Sequence, residues 1–247
     1  MAEQFILPKT PDLEHLAYFA LSHYLNGVMT LFTVAALIIG IIHYNRHRTL
    51  RILTWYIAFS LFQDMSTFYA FPDRHPGNFR VDQMYITGIG FMLFEFIVCN
   101  LFILRCIRSP QRRRIIKINA LLFFGVITVI AALTFPEFSR LSDTFTTYYL
   151  LPESFFLVIP CLIYFYELFL TRNLRPLAEQ PAFWVVTGIL FLNACEIPLL
   201  VTSNLLKEST HYYNEAFSLN YILYVLLFIL LIRAFLCPPE RAVRTSF

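Results

Sequence analysis

The sequence predicts an all-α membrane protein, a bundle of seven transmembrane helices with its N-terminus outside and its C-terminus in the cytoplasm. Three observations predict this fold class. Hydrophobic residues form 58% of the 247-residue chain and charged residues only 14%, whereas soluble domains have about 25% charged residues. Apolar stretches of about 20 residues, enough to cross a bilayer as a helix, recur along the chain. Lys and Arg are concentrated on alternate links between these stretches.

Seven apolar segments are long enough to be spans, and short links that contain Pro, Gly and charged residues separate them. Such short links predict that consecutive spans pack side by side and antiparallel. The predicted spans are Leu21–Tyr44, Ile52–Phe71, Met84–Ile107, Ile115–Phe135, Thr147–Leu170, Ala182–Leu205 and Glu215–Phe235.

The spans divide the chain into three parts. Residues 1–20 form an external or interfacial segment, 21–236 the seven-helix domain and 237–247 a cytoplasmic tail. The first segment contains acids and prolines ahead of its apolar stretch and no basic leader, so it does not have the pattern of a signal peptide.

The orientation follows from the 19 Lys and Arg residues. Five lie on one side of the predicted membrane, and the other 14 lie on the links after spans one, three and five and at the C-terminal end. The basic side faces the cytoplasm in membrane proteins. The five are Lys9, Arg74, Arg80, Arg140 and Lys207. The net charge of +3 is small and follows this topology, so it does not indicate nucleic-acid binding.

Four spans each place one acid at middle to outer depth: Asp64, Glu95, Glu153 and Glu196. A charged acid near the bilayer centre costs about 2.5–3.5 kcal/mol on insertion scales, so intramembrane acids face the bundle interior, partners or water. We therefore expect the four carboxyls to share an outward-facing polar pocket that binds a small ligand, a proton or a cation.

Polar residues at helical spacing predict which helix faces line this pocket. They lie on spans one, two, six and seven, beside or level with the acids, and Tyr224 follows Asn220 by one turn. Pro160 and Pro198, inside spans five and six, predict kinks. The further pocket residues are His23, Asn26, Gln63, Asn193, Asn220 and Tyr224.

Several functions fit this pattern. A sensor or receptor is favoured, with a cytoplasmic signalling partner because no catalytic domain follows the last span. A proton or cation transporter or channel is the alternative, although paired broken helices and inverted repeats are not evident. A membrane-embedded metal-dependent enzyme, with His15, His23, His75 and His211 as ligands, is a third. The acids could also be protonated and serve only as hydrogen-bonding groups between helices.

No cofactor is predicted, although a bound cation is compatible with the pocket. Retinal requires a lysine in the last span, and Lys9, Lys117 and Lys207 all lie elsewhere. A b-type haem requires two histidines at facing positions in the bundle, and the spans do not provide such a pair. The partners expected from the sequence are the lipid bilayer, a small ligand or ion, and a signalling protein.

The stretch Tyr164–Leu192 contains YFYELFL and PLAEQPAFWVVTGILF, with Glu167, Trp184 and Gly188 as distinctive residues. It resembles a group of small bacterial seven-helix membrane proteins of rhodopsin-like topology, some of which accompany sensor kinases. The resemblance implies this topology and a multi-pass location in the bacterial inner membrane. It implies no particular activity.

Overall fold

A computed structural model describes residues 13–46, 49–69, 79–134, 146–171, 176–205 and 210–238. These residues form seven α-helices, and none of them is in a β-strand. A π-helical segment, Thr146–Leu150, leads into α5, and a 3₁₀ turn, Leu177–Glu179, precedes α6. The helices are α1 (Leu13–Ile42), α2 (Arg51–Tyr69), α3 (Phe79–Cys106), α4 (Pro110–Thr134), α5 (Leu151–Leu170), α6 (Pro181–Leu205) and α7 (Thr210–Leu236).

Six of these helices, all except α2, are long and apolar enough to cross a membrane. They indicate a multi-pass integral membrane protein, as the sequence predicts. The side chains of α2 are described over 51–66 only, and this stretch includes Arg51, Gln63 and Asp64. It is shorter than the roughly 20 residues of a bilayer span.

Four helices, α1, α3, α4 and α7, begin at least five residues earlier than the sequence predicts. The first starts at Leu13, inside the segment predicted to be external or interfacial, and α4 starts at Pro110. Hydropathy marks the part of a helix that lies in hydrocarbon, whereas the helix itself continues into the polar interface. In α4 this added part contains Arg112, Arg113 and Arg114, which the sequence places in a link. Residues 1–12 and 239–247, and with them most of the two predicted terminal segments, lie outside the described residues.

The helices form a closed bundle. Each helix from α1 to α6 packs against the next one along the chain. The last helix, α7, packs against α1 and so closes the ring. Because α3 contacts α2, α4, α5 and α6, it lies nearest the centre. At Gly188 the absence of a side chain lets α6 approach α7, since a Cβ there would lie 2.9 Å from Leu227 Cδ1.

The apolar side chains lie both inside the bundle and on its surface. Phe96 and Phe123, both fully buried, stack with ring centroids 3.7 Å apart and join α3 to α4. On the outside, Leu121, Leu133 and Phe169 are each more than 70% exposed. A soluble protein rarely exposes large continuous apolar surface, so this surface fits a lipid environment.

Asn119 of α4 compensates a hydrogen bond that Pro160 removes from α5. In a regular helix the N–H of residue 160 would donate to the carbonyl of Phe156, but proline has no N–H. Asn119 Nδ2 donates to that carbonyl oxygen instead, at 2.9 Å. Both Asn119 and Pro160 are buried, so the bond is shielded from water. Proline is tolerated in membrane helices where neighbouring helices satisfy the freed carbonyl in this way.

We expect Asn119→Ala to destabilise the protein by about 1–2 kcal/mol because the Phe156 carbonyl loses its donor. In a Pro160→Ala background residue 160 regains its N–H and can bond to this carbonyl itself. The cost of Asn119→Ala should then fall by half or more. The free energy of unfolding, measured for the four proteins of this cycle in one detergent, checks the expectation.

Asn100→Ala is the matched control. Asn100 is also a buried asparagine, and its amide donates to Phe96 O at 2.9 Å within its own helix. Its cost should be the same in the wild-type and Pro160→Ala backgrounds. Equal costs of Asn119→Ala in the two backgrounds would show that Asn119 does not compensate for the proline.

Candidate functional site

Three of the four predicted acids line one cavity of about 140 Å³, which we call the acidic cavity. The lining residues follow helical spacing, so each helix presents one face. Residues 88, 91, 92 and 95 of α3 have the i, i+3, i+4, i+7 pattern, and residues 193 and 196 of α6 lie one turn apart. The lining residues are Gly88, Phe91, Met92, Glu95, Leu150, Glu153, Asn193, Glu196 and Tyr224.

Glu95, on the central helix α3, is bound by a tyrosine of α2. Tyr56 Oη donates to Glu95 Oε1 at 2.9 Å. The Tyr56 side chain is 2% exposed and Glu95 is 6% exposed, so the hydrogen bond is shielded from solvent. Because both partners are buried, losing either one would leave the other without its partner in a low-dielectric environment.

Glu196, on α6, receives hydrogen bonds from two other helices. Ser154 Oγ of α5 donates to Glu196 Oε2 at 2.9 Å. The Asn220 side chain of α7 also forms a hydrogen bond with Glu196. Asn220 Oδ1 has no partner among the described residues, so the donor is the amide nitrogen. Glu196 therefore connects α5, α6 and α7 at the level of the cavity.

Glu153 differs from the other two glutamates. Its side chain is 6% exposed, and its Oε1 atom is buried without a hydrogen-bond partner in the described part of the chain. It lies close enough to Glu95 and Glu196 to interact with both electrostatically. A buried polar atom without a partner costs about 1–3 kcal/mol. Of the three glutamates that line the cavity, Glu153 is therefore the one with a buried carboxyl oxygen that no described residue hydrogen-bonds; Asp64 Oδ2, outside the cavity, is in the same state.

The remaining predicted pocket residues lie in different positions. Asn193 and Tyr224 line the cavity, and Asn193 Nδ2 donates to Ile189 O at 2.8 Å within α6. Asp64 is half-buried and does not line the cavity. It lies eight residues beyond Tyr56, which is about 12 Å along the helix. Tyr224 is close enough to Asp64 and to the three glutamates to interact with each of them electrostatically.

Three predicted residues are not brought to the acidic cavity: His23 is exposed, and Asn26 and Gln63 are half-buried. Two threonines of the polar stripe on α1 bond within their own helix. Thr30 Oγ1 donates to Asn26 O at 3.0 Å, and Thr33 Oγ1 donates to Met29 O at 2.9 Å. Thr hydroxyls in helices commonly bond in this way. Helical spacing identifies a polar face but does not reveal whether that face reaches a shared cavity.

The polar stripe predicted on span two includes Tyr56, but the sequence did not identify Tyr56 or Ser154 as a partner of an acid, although each bonds to one. A signal existed for each: Tyr56 belongs to a polar stripe on α2, and Ser154 directly follows Glu153 in the segment LPESFF. Neither signal identifies which acid the hydroxyl would reach, because that depends on how the helices pack.

A mainly apolar layer lies next to the acidic cavity, on the side that the sequence predicts to be cytoplasmic. The buried aromatic and aliphatic residues of this layer come from α3, α5, α6 and α7. They include Phe102, Ile103, Leu157, Ile189, Leu192, Leu227 and Phe228. Asn100 also lies in this layer, with its amide bonded to Phe96 O. The cavity therefore ends against packed side chains.

The three glutamates surround the cavity and do not converge on one point. Among the residues that the structure describes, no group of three or more His, Cys, Asp or Glu is placed to hold a metal ion. The side chains of His15, His75 and His211 lie outside that part of the chain.

Comparison with models of known protein families, with curated proteins and with solved structures finds no match.

The hydrogen bonds predict opposite effects for two similar substitutions. We expect Glu153→Met to stabilise the protein by about 1–2 kcal/mol, since it replaces an unpaired buried acid by an apolar side chain of similar length. Glu196→Met should destabilise it by about the same amount, because the Asn220 amide loses its acceptor and Ser154 keeps only the Leu150 carbonyl, at 3.1 Å. Free energies of unfolding in one detergent, at one pH and without added ligand, check both. Destabilisation of equal size in both variants would contradict the assignment of Glu153 as the unpaired acid.

Proposed function

We propose that this protein is a receptor-like membrane sensor whose acidic cavity binds protons or a small hydrated cation. The observation that supports the proposal most directly is that Glu95, Glu153 and Glu196 line one buried cavity. No Lys or Arg among the described residues is a lining residue.

Charge balance supports a positively charged occupant. Carboxylates that share a low-dielectric site repel one another, and each loses its hydration on burial. Two hydroxyls and one amide donate to Glu95 and Glu196, but these donors carry no net charge. A buried site of this kind is stable only when protons or a cation accompany the acids. Occupancy should therefore depend on the concentration of protons or cations outside.

The size of the cavity supports a small occupant. Pockets for drug-sized organic ligands have volumes of about 300–1,000 Å³, compared with about 140 Å³ here. This volume accommodates a few water molecules or a cation that keeps part of its hydration shell. The unpartnered Oε1 of Glu153 is the first contact that we expect such an occupant to make.

The packed layer beside the cavity favours sensing over passage. Phe102, Leu192 and Phe228 are each no more than 1% exposed there. A change of occupancy would be transmitted by helix displacement, because α3, α5, α6 and α7 all line the cavity. The same helices end at the side predicted to be cytoplasmic, where a separate signalling protein would receive the change.

The proposal includes the full topology. All seven helices would span the bilayer, with the N-terminus outside and the C-terminus in the cytoplasm. Packing of α2 between α1 and α3 supports its inclusion, as does its contribution of Tyr56 to the site. The resemblance over Tyr164–Leu192 supports a bacterial inner membrane.

The binding proposal is tested with purified protein in detergent at constant ionic strength. We expect acidification to produce the infrared C=O band of protonated carboxyl groups, and Na⁺, K⁺ or Ca²⁺ to raise the melting temperature if a cation is the occupant. Glu153→Gln should remove part of either response, and the triple variant of Glu95, Glu153 and Glu196 to Gln should abolish it. Glu179→Gln is the matched control because Glu179 is exposed and outside the cavity.

The same proteins in sealed vesicles separate sensing from transport. A sensor should bind without moving protons or cations across the membrane, as measured with internal pH- and cation-sensitive dyes. Flux that the triple variant abolishes would indicate a transporter instead. Responses in the triple variant that equal those of the wild type would leave the carboxyls as hydrogen-bonding groups between helices.

The topology yields a separate prediction. A cysteine introduced at Glu179 should react with a membrane-impermeant maleimide only after the cell membrane is opened, because the α5–α6 link is predicted to be cytoplasmic. A cysteine introduced at Gly77 should react in intact cells. The reverse pattern would invert the orientation.

A further inference from the structure

A second cavity, of about 270 Å³, lies at the opposite end of the helices that form the acidic cavity; we call it the arginine cavity. It lies between the ends of α3 and α5, the start of α6 and the α1–α2 link. Six of its lining residues are polar: Thr49, Arg105, Arg108, Glu167, Thr171 and Gln180. Ten residues separate Arg105 from Glu95 on α3, which is about 15 Å of helix. The two cavities are therefore separate sites.

The single lining acid, Glu167, is already paired. Its Oε1 accepts the backbone N–H groups of Arg108, at 2.7 Å, and Ser109, at 3.4 Å, directly before α4. Its Oε2 lies 3.1 Å from an Nη of Arg112. These contacts, with a helix start and a guanidinium, favour the ionised form of Glu167. Glu167 thus stabilises the α3–α4 link, and its charge is balanced by Arg112.

Arg105 and Arg108 are left without an acidic partner. Both side chains are exposed, and no Asp or Glu of the described residues pairs with either one. The charged residues that line the cavity are Arg105, Arg108 and Glu167, so the lining has a net charge of +1, and Arg112 pairs with Glu167 from outside the lining. Two guanidinium groups beside one cavity are suited to an oxyanion, because each can donate two parallel hydrogen bonds.

Two further features of the arginine cavity favour an anion. The 25-residue helix α6 begins here, with Pro181 and Ala182 lining the cavity. The N-terminus of a helix has a partial positive charge and backbone N–H groups without intrahelical partners. Thr49 adds a hydroxyl group. The cavity also lies at the membrane end that is predicted to be cytoplasmic, where the leaflet contains anionic lipids.

We propose that the arginine cavity binds a phosphate-type oxyanion, supplied either by the headgroup of an anionic lipid or by free phosphate. Arg105 and Arg108 provide the charge, Thr49 provides a hydroxyl donor, and the start of α6 adds a partial positive charge, although Pro181 has no N–H and the Phe183 N–H already donates to Gln180 O. This inference does not depend on the function of the acidic cavity.

The test uses the full-length protein in a neutral detergent and two probes. One is phosphatidylglycerol in mixed micelles, compared with phosphatidylcholine at the same mole fraction. The other is inorganic phosphate without lipid, compared with chloride at equal ionic strength. Binding is measured from the rise in melting temperature over a titration, and for the lipid also by native mass spectrometry. An effect of phosphatidylglycerol alone identifies a lipid headgroup, whereas an effect of phosphate without lipid identifies free phosphate.

We expect Arg105→Gln and Arg108→Gln each to weaken binding roughly tenfold and the double variant to weaken it roughly a hundredfold. Arg114→Gln is the matched control, since Arg114 is exposed on α4 and does not line the cavity; it should change binding less than twofold.

Two results would overturn the inference. One is that neither probe stabilises the wild-type protein more than its comparison compound does. The other is that the double variant and Arg114→Gln weaken binding equally, as nonspecific attraction to a basic surface would require. If the double variant cannot be purified, Arg105→Lys and Arg108→Lys replace it. They keep the charge but lose the paired hydrogen bonds, so each should still weaken binding severalfold.

Discussion

The burial of three carboxyl groups around one small cavity is the constraint on which the rest of this bundle depends. Five helices contribute to the cavity or to its hydrogen bonds: α2 through Tyr56, α3 through Glu95, α5, α6 and α7. Each donor to Glu95 or Glu196 comes from a different helix than the acid. Polar contacts of this kind specify which helix faces meet, because an incorrect register would leave several buried polar groups unpaired at once. The apolar contacts elsewhere in the bundle are far less selective, since lipid is as apolar as a leucine side chain.

The two ends of the bundle have opposite electrostatic character on the same helices. Helix α3 contributes Glu95 to the acidic cavity and Arg105 to the arginine cavity. Helices α5 and α6 also contribute residues to both cavities. Between them lies the packed layer around Phe102 and Phe228. The two polar cavities therefore lie on the same helices and are separated by apolar packing.

The helices were predictable from the sequence, because a bilayer requires long apolar segments and apolar residues are easily counted. The helix ends were less predictable: hydropathy does not reveal that Pro110 begins α4 or that Glu167, far away in sequence, binds the N–H groups before it. Three of the four acids were correctly expected to lie together, since burial of a charge favours an interior position on every helix. The fourth, Asp64, could not be distinguished from them, because depth along a helix is known only to within a turn or two until a contact such as Tyr56–Glu95 sets the register.

The strongest alternative to a binding function is that the acids only form hydrogen bonds that hold the helices together. The contacts of each glutamate show whether this explanation fits it. This explanation fits Glu95 and Glu196, since each accepts a hydrogen bond from a neighbouring helix. Interhelical hydrogen bonds contribute about 0.6 kcal/mol on average within membranes. The explanation does not fit Glu153, because its Oε1 has no partner in the described part of the chain while it remains close to the two other acids. As a purely structural residue it would cost stability without any compensating contact. The small cationic occupant that we propose would give this oxygen a partner, because Glu153 lines the cavity together with Glu95 and Glu196.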